Sequence, residues 1–161
     1  MVVHVNRLTE GDVKLLGKAK ADVVHCPRSH GWFGHARFDY ERLAKAGLNI
    51  CLGTDSLASA GGDGETVVLD MFAEMQEFSR NHPNLVTEDI LQMATANGAA
   101  AMRLENELGQ IKDGFMANMT MIPFDGKLSE VPEVILQHRG PVEMLMIAGR
   151  RAFSKVGSIV G

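Results

Sequence analysis

The sequence predicts an α/β fold in which parallel strands alternate with helices. Short apolar segments rich in β-branched residues lie at three places in the first third of the chain, residues 2–5, 22–26 and 48–52. Segments with apolar residues at helical spacing separate them. This alternation is typical of right-handed βαβ units, so we expect the three strands to form one parallel sheet.

The connections between these strands carry recognisable start and stop signals. Thr9 is a candidate helix N-cap, with Asp12 three residues later and apolar positions beyond it. Pro27 ends the second strand, and the polar and aromatic residues 28–35 predict a loop. A helix is expected over residues 40–46, where a glycine follows. Each strand therefore has a helix between it and the next.

Helical patterns dominate the middle of the chain. Residues 59–64 are rich in glycine and predict a flexible loop, and apolar positions spaced through residues 65–81 predict a helix. Another helix is expected to begin at Thr87. Asn97-Gly98 should interrupt that helix, which would then resume over residues 99–102.

The last third of the chain departs from the strand–helix alternation. Residues 108–114 predict a turn, and residues 119–122 a strand outside the parallel sheet. A short helix is expected over residues 131–138 and a final strand over residues 142–147. The chain therefore divides near residue 108.

Composition narrows the classes of function. The 161 residues are 45% hydrophobic and carry a net charge of −4, which gives no broad basic surface for nucleic acid or acidic lipid. We therefore expect a small-molecule substrate or a protein partner, with no nucleic-acid or membrane partner. Only two cysteines occur, and neither an apolar run of roughly 20 residues nor a signal-peptide pattern is present. These features favour a cytoplasmic protein.

Three polar side chains stand at or near the ends of the three predicted strands: His4, His25 and Asp55. The carboxyl ends of parallel strands meet at one edge of a sheet, where imidazole and carboxylate groups can bind a divalent metal and transfer protons. A structural role explains them equally well. In that interpretation both histidines are buried and bonded to the backbone, and Asp55, followed by Ser56, caps a turn.

Two segments around these residues resemble a known family. Residues 24–30, VHCPRSH, and residues 46–59, AGLNICLGTDSLAS, resemble the last barrel strands of the amidohydrolase superfamily. The similar branch contains cytosine, guanine, adenosine-type and S-adenosylhomocysteine-type deaminases and the triazine chlorohydrolases. The pairing of HCP-x-S with LGTDS is specific, and the resemblance extends over about residues 2–123. Supporting segments downstream are residues 69–75, 94–99 and 108–114.

The resemblance implies a role for each matching residue. Asp55 corresponds to the eighth-strand aspartate, a metal ligand that also takes a proton from the attacking water. His4 corresponds to the sixth-strand histidine that polarises or protonates the substrate. The residues implied on the substrate side are His25, Ser29, His30, Trp32 and Ser56. Trp32 could equally belong to a packed lid or a protein interface, and His30 stands where many relatives have asparagine.

The resemblance also implies the architecture. Residues 1–107 would be the last three strands and helices of a TIM (β/α)8 barrel, and residues 108–161 part of a small C-terminal β domain. A complete barrel needs about 250 residues, and the family's His-x-His ligand pair does not occur here. We therefore expect this chain to be part of a deaminase and to be inactive alone. The whole enzyme would use a divalent metal, with zinc favoured over iron or manganese.

Two alternatives to this interpretation stay open. The chain could be a non-catalytic α/β domain that forms homo-oligomers, because a partial barrel leaves a strand edge unpaired. It could also form an active enzyme with another polypeptide that supplies the missing N-terminal part of the barrel and its metal ligands.

Overall fold

The first three strands form one parallel sheet in the computed structural model, which describes residues 1–59 and 68–154. Strands β1 (Val2–Val3), β2 (Asp22–His25) and β3 (Asn49–Leu52) lie side by side in chain order. Val3 pairs with Val24, and His25 pairs with Leu52, in parallel register. The parallel sheet predicted from the sequence is therefore confirmed.

Helix α1 (Glu10–Lys18) connects the first two strands and begins as its cap signal predicts. The Thr9 hydroxyl accepts from the amide of Asp12 at 3.2 Å, and the Asp12 carboxylate accepts from the amide of Thr9 at 2.7 Å. This reciprocal pair satisfies two amide groups that a helix start otherwise leaves unpaired.

The connection from β2 to β3 contains two helices. The predicted loop at residues 28–35 is wrong in its first half, because α2 (Pro27–Trp32) begins immediately after the strand. Proline suits the first helical position, since its φ is already helical and no amide is needed there. The predicted second helix is confirmed as α3 (Tyr40–Lys45), and Gly47 follows it with φ of 77°.

Helix α4 (Met71–Asn81) starts later than predicted, because Asp70 caps it by accepting from the amide of Phe72 at 2.8 Å. Residues 60–67, which include most of the predicted loop and the predicted helix start, lie outside the described part of the chain. The next break falls at Thr95, between α5 (Thr87–Ala94) and α6 (Ala96–Ala101), and not at Asn97-Gly98.

Tertiary contacts explain where that break lies. The Thr95 hydroxyl donates to the carbonyl of Leu91 at 2.7 Å, and the Asn97 side chain donates to the carbonyl of Ile50 at 2.8 Å. Asn97 therefore ties α6 to strand β3 while remaining helical.

The main core lies between one face of the parallel sheet and the helices that cover it. Val23 and Ile50 from the sheet are buried with Phe78 of α4 and Ile90 and Met93 of α5. Both cysteines, Cys26 and Cys51, are buried and free.

A second sheet is antiparallel and formed by the end of the chain. Strand β4 (Met119–Met121) pairs with β5 (Met144–Ile147), which pairs with β6 (Arg150–Ser154). The strand predicted over residues 142–147 is therefore not the final one. Helix α7 (Val131–Gln137) packs against α4 and α5. Among the described residues, no helix combines the length and apolar character that a membrane crossing requires.

Candidate active site

Asp55 stands just beyond the end of β3, in a backbone conformation that is unusual for its residue type. The Gly53 amide donates to the carbonyl of His25 at 2.9 Å and extends the parallel ladder by one bond. A Cβ atom at Gly53 would lie 2.8 Å from Cγ1 of Val24, so a side chain here would force Val24 to shift. Asp55 then has φ of 53°, in the left-handed region. Such strain in a non-glycine residue is characteristic of functional sites.

Two hydroxyl groups hold the Asp55 carboxylate. Ser29 in α2 donates to Oδ2 at 2.5 Å, and Ser59 donates to the same oxygen at 3.0 Å. The hydrogen bond from Ser29 is the main reason that the pKa of Asp55 lies below its ordinary value, and Ser59 and the nearby His4 act in the same direction. Asp55 is therefore an ionised group near neutral pH, which can accept hydrogen bonds or bind a cation.

His4 lies at the end of β1 and faces the same carboxylate. Its amide donates to the carbonyl of Val24 at 2.9 Å, and φ is 69° at His4 and 47° at Val5, which turns the chain sharply away from the sheet. Nε2 of His4 lies 3.9 Å from Oδ2 of Asp55. That distance is too long for a hydrogen bond. The structure therefore brings together His4, Ser29 and Asp55 from three neighbouring strand ends.

A cleft of about 270 Å³ opens beside these residues. The residues that line it are His4, Asn6, Ser29, His30, Phe33 and His35. Nε2 of His30 donates to the carbonyl of Ala36 at 2.6 Å, and Nδ1 lies 3.1 Å from the Asn6 side chain. Because a carbonyl oxygen only accepts, Nε2 carries a proton, and the Asn6 atom that faces Nδ1 is Oδ1. These contacts fix the orientation of His30 in the cleft wall.

His25 does not line the cleft. Its side chain is 3% exposed, stacks on Phe38 with the ring centroids 3.9 Å apart, and meets Phe78 edge-on. Successive strand residues point to opposite faces, so His25 shares the helix-facing side of β2 with Val23. Burial lowers the pKa of His25 to about 3, and the ring is neutral. His25 lies beneath His30, with the ring centroids 5.0 Å apart.

Two further residues that the sequence placed on the substrate side lie outside the cleft lining. Trp32 is 51% exposed. Ser56 is exposed, and its hydroxyl lies 3.4 Å from that of Ser59. Sequence reasoning did not identify Ser59 or Asn6 as site residues. Ser59 is the last residue of the segment 46–59, but the resemblance assigned it no role, and the only signal for Asn6 is its position two residues after His4.

The donor set suits one contact to a divalent metal. The Asp55 carboxylate is an oxygen ligand of the type such ions bind. Within residues 1–59 and 68–154, no group of three or more His, Cys, Asp or Glu side chains is placed to hold a metal ion. A catalytic zinc normally takes three protein ligands. The described residues therefore fit part of such a site.

A parallel βαβ sheet with an aspartate and a histidine just beyond its carboxyl edge is an α/β arrangement that places polar groups where parallel-barrel enzymes have their active sites. The model of the amidohydrolase family matches residues 1–152, and this chain belongs to that family. The resemblance inferred from the HCP-x-S and LGTDS segments is thus confirmed.

Relatives of this chain include named deaminases. It is 37% identical over 129 residues to the 5-methylthioadenosine/S-adenosylhomocysteine deaminase of Pyrococcus furiosus. The aligned residues cover 76% of this chain and 29% of that protein. It is 32% identical over 165 residues to the deaminase of the same name from Teredinibacter turnerae. That alignment covers 92% of this chain and 35% of that protein. The chain thus spans about a third of the length of these relatives.

Solved structures show the same similarity. The chain superposes on a zinc-bound adenosine deaminase from Xanthomonas campestris with a TM-score of 0.82 and 26% identity, over 95% of this chain and 37% of that chain. It superposes on the aminofutalosine deaminase of Helicobacter pylori with a TM-score of 0.80 and 27% identity, over 94% and 38% of the two chains. The α/β fold is therefore that of amidohydrolase structures.

Proposed function

We propose that this chain carries the last three strands of an amidohydrolase barrel that hydrolytically deaminates a purine-like aminoheterocycle. The observation that carries the proposal is the grouping at one sheet edge. The ionised Asp55 is held by Ser29 and Ser59, and Nε2 of His4 lies 3.9 Å from its Oδ2.

Asp55 acts as the proton acceptor in this proposal. Its lowered pKa keeps the carboxylate ionised at neutral pH, and its two hydroxyl partners, of which Ser29 lines the cleft, fix its position. It would take a proton from the attacking water at a carboxylate oxygen and return it to the leaving amine. General acid–base transfer by a positioned group of this kind contributes roughly 10²- to 10⁴-fold to rate.

His4 supplies the second polar group. Its Nε2 is directed toward the same space as the Asp55 carboxylate and can hydrogen-bond to a ring nitrogen of the substrate, polarising the carbon that water attacks. Phe33 and His35 in the cleft wall offer ring faces for a flat aromatic heterocycle. The names of the relatives, which are deaminases of adenosine derivatives, support a purine-like substrate.

Asp55 would also be one ligand of a divalent metal. We favour zinc over iron or manganese because the adenosine deaminase from Xanthomonas campestris was solved with bound zinc. Such an ion lowers the pKa of bound water from about 15.7 to about 7. The remaining ligands would come from outside the described residues, so we propose that the chain is inactive alone. Its place in the cell would be the cytoplasm.

Ammonia release tests this proposal in two preparations. The first is the purified 161-residue chain with added zinc, for which we expect no turnover and less than one tightly bound zinc per chain. The second is a chimera in which the preceding part of the Pyrococcus furiosus relative is fused to this chain. For the chimera we expect turnover of adenosine or 5-methylthioadenosine and loss of it on Asp55→Ala.

Each preparation tests a different part of the proposal. Turnover with stoichiometric zinc in the chain alone would show that this chain contains a complete active site. A folded, zinc-loaded chimera that releases no ammonia from any aminopurine would overturn the substrate class.

One observation favours a second candidate, a self-associating α/β domain. Among the described residues β1 pairs with β2 alone, so its outer edge is unpaired, and Val3 there is 49% exposed. An unpaired edge beside apolar surface invites pairing with another strand. The partner would be a second copy or the missing part of the barrel.

A further inference from the structure

Helix α4 contains a buried carboxyl group that the proposed reaction does not use. Glu74 is 0% exposed, and its Oε2 accepts from the backbone amide of Arg28 at 2.9 Å. Nη1 of Arg28 lies 3.9 Å from Oε1, which has no hydrogen-bond partner among the described residues. A buried carboxyl group that is only partly paired costs stability. An apolar residue at this position would avoid that cost.

The partner of Glu74 belongs to the helix that holds the candidate catalytic carboxylate. Arg28 is the second residue of α2, and Ser29, which donates to Asp55 at 2.5 Å, is the next. Helix α2 has only six residues, and Cys26 before it provides no side-chain cap. Glu74 therefore supplies a long-range acceptor at the beginning of a short helix whose preceding residue offers no side-chain cap.

The Arg28 side chain extends the same link to a third element. Its guanidinium group donates to the carbonyl of Val68 at 3.0 Å, in the segment that leads into α4. Glu74, Arg28, Ser29 and Asp55 thus form a continuous series of contacts from the interior of α4 to the end of β3. A displacement of Glu74 would therefore be transmitted to Asp55.

We infer that Glu74 is a positioning residue, which fixes α2 so that Ser29 holds Asp55 in its reactive orientation. The structural part of this inference stands by itself, and the kinetic part rests on the proposed function. Misplacement of a reacting group by about 1 Å can cost roughly 100-fold in rate. Loss of the Glu74 contact should therefore lower kcat more than it alters KM.

Three variants and a matched control separate positioning from general stabilisation. Glu74→Leu removes the acceptor, Glu74→Asp is too short to reach Arg28, and Glu74→Gln keeps an acceptor oxygen without the charge. The control is Gln76→Leu. Gln76 is also a buried polar residue of α4, but it donates to the carbonyl of His138, away from α2.

Hydrogen exchange on the full 161-residue chain gives the first readout and needs no activity. We expect Glu74→Leu and Glu74→Asp to speed exchange of the Arg28 amide about tenfold or more relative to the α5 amides. Glu74→Gln should leave it within about threefold of wild type. Gln76→Leu should leave the Arg28 amide unchanged. Equal exchange in Glu74→Asp and wild type would overturn the inference, even if Glu74→Leu fails to fold.

A double-mutant cycle in the chimeric enzyme gives the second readout. If Glu74 acts through Ser29, Glu74→Asp should lower kcat at least tenfold in the wild-type background and less than threefold in the Ser29→Ala background. Rescue of kcat by Glu74→Gln is also expected. Additive effects of the two substitutions would overturn the positioning role. A chimera without any activity would instead count against the proposed function and leave the exchange result standing.

Discussion

The Ser29 hydroxyl donates to Oδ2 of Asp55 across 2.5 Å and so joins the end of β2 to the end of β3. Ser29 is 1% exposed, whereas the Asp55 side chain is 27% exposed. A buried donor therefore orients a carboxylate that remains partly exposed. The Ser29 hydrogen bond thus fixes the orientation of the Asp55 carboxylate and favours its ionised form.

Removing that donor should loosen the Asp55 side chain and make its carboxylate easier to protonate. We expect Ser29→Ala to raise the pKa of Asp55 toward its ordinary value, because the hydrogen bond from Ser29 is the main cause of the lowered pKa. Carboxyl ¹³C resonances followed by NMR against pH measure this change. Ser56→Ala is the control, since the Ser56 hydroxyl contacts Ser59 and not the carboxylate. An unchanged Asp55 titration in Ser29→Ala would contradict the assigned role of Ser29.

Substitution at Gly53 should disturb the sheet where it delivers Asp55. A Cβ atom there would lie 2.8 Å from Cγ1 of Val24. We expect Gly53→Ala to lower the free energy of unfolding by about 1–3 kcal/mol, measured by urea denaturation. Gly31→Ala is the control, because a Cβ at Gly31 meets nothing within 4 Å. The clash explanation requires that Val24→Ala recover part of the loss, and no recovery would refute it.

Glu74 should make the chain less stable as the pH rises. Burial raises the pKa of Glu74 from 4.5 to about 7 in the folded state. Between those values the folded state binds more protons than the unfolded state, so the free energy of unfolding falls with increasing pH, by about 3 kcal/mol in all. Glu74→Gln removes this fall. Urea denaturation at pH 4.5 and pH 8 should therefore show the variant gaining stability relative to wild type, and a constant difference would argue against the raised pKa.

His25 should have the opposite effect on stability. Burial lowers its pKa from 6.5 to about 3 in the folded state. The unfolded state then binds more protons over that interval, so the free energy of unfolding rises with pH, by about 5 kcal/mol in all. His25→Phe keeps an aromatic ring against Phe38 and should abolish this rise in acid titrations followed by circular dichroism. A large increase in KM in the same variant of the chimera would show instead that His25 contacts substrate.

The exposed edge of β1 should make the isolated chain associate. We expect light scattering to give a mass above that of the monomer, because the outer edge of β1 is unpaired among the described residues. Val3→Lys places a charge on this edge and should shift the mass toward the monomer. Leu15→Lys, on an exposed face of α1, is the control. A monomeric wild-type chain would contradict association through this edge.

Local signals determined much of the fold. The three parallel strands, the Thr9 cap and the position of Asp55 after β3 follow from hydrophobic patterns and short-range hydrogen bonding, which act within a few residues. The HCP-x-S and LGTDS segments likewise identified the amidohydrolase family, which the match over residues 1–152 confirms.

Contacts between residues distant in sequence decided the rest. His25 faces the helix layer because of its alternation in β2, and α2 forms where a loop was expected, with Glu74, 46 residues away, bonded to its second residue. The Ser59 hydroxyl on Asp55 and the shift of the helix break to Thr95 are also tertiary outcomes. Burial and hydrogen-bond pairing across the fold outweigh local propensity at these positions, so the sequence determined where Asp55 stands and the tertiary structure determined what holds it.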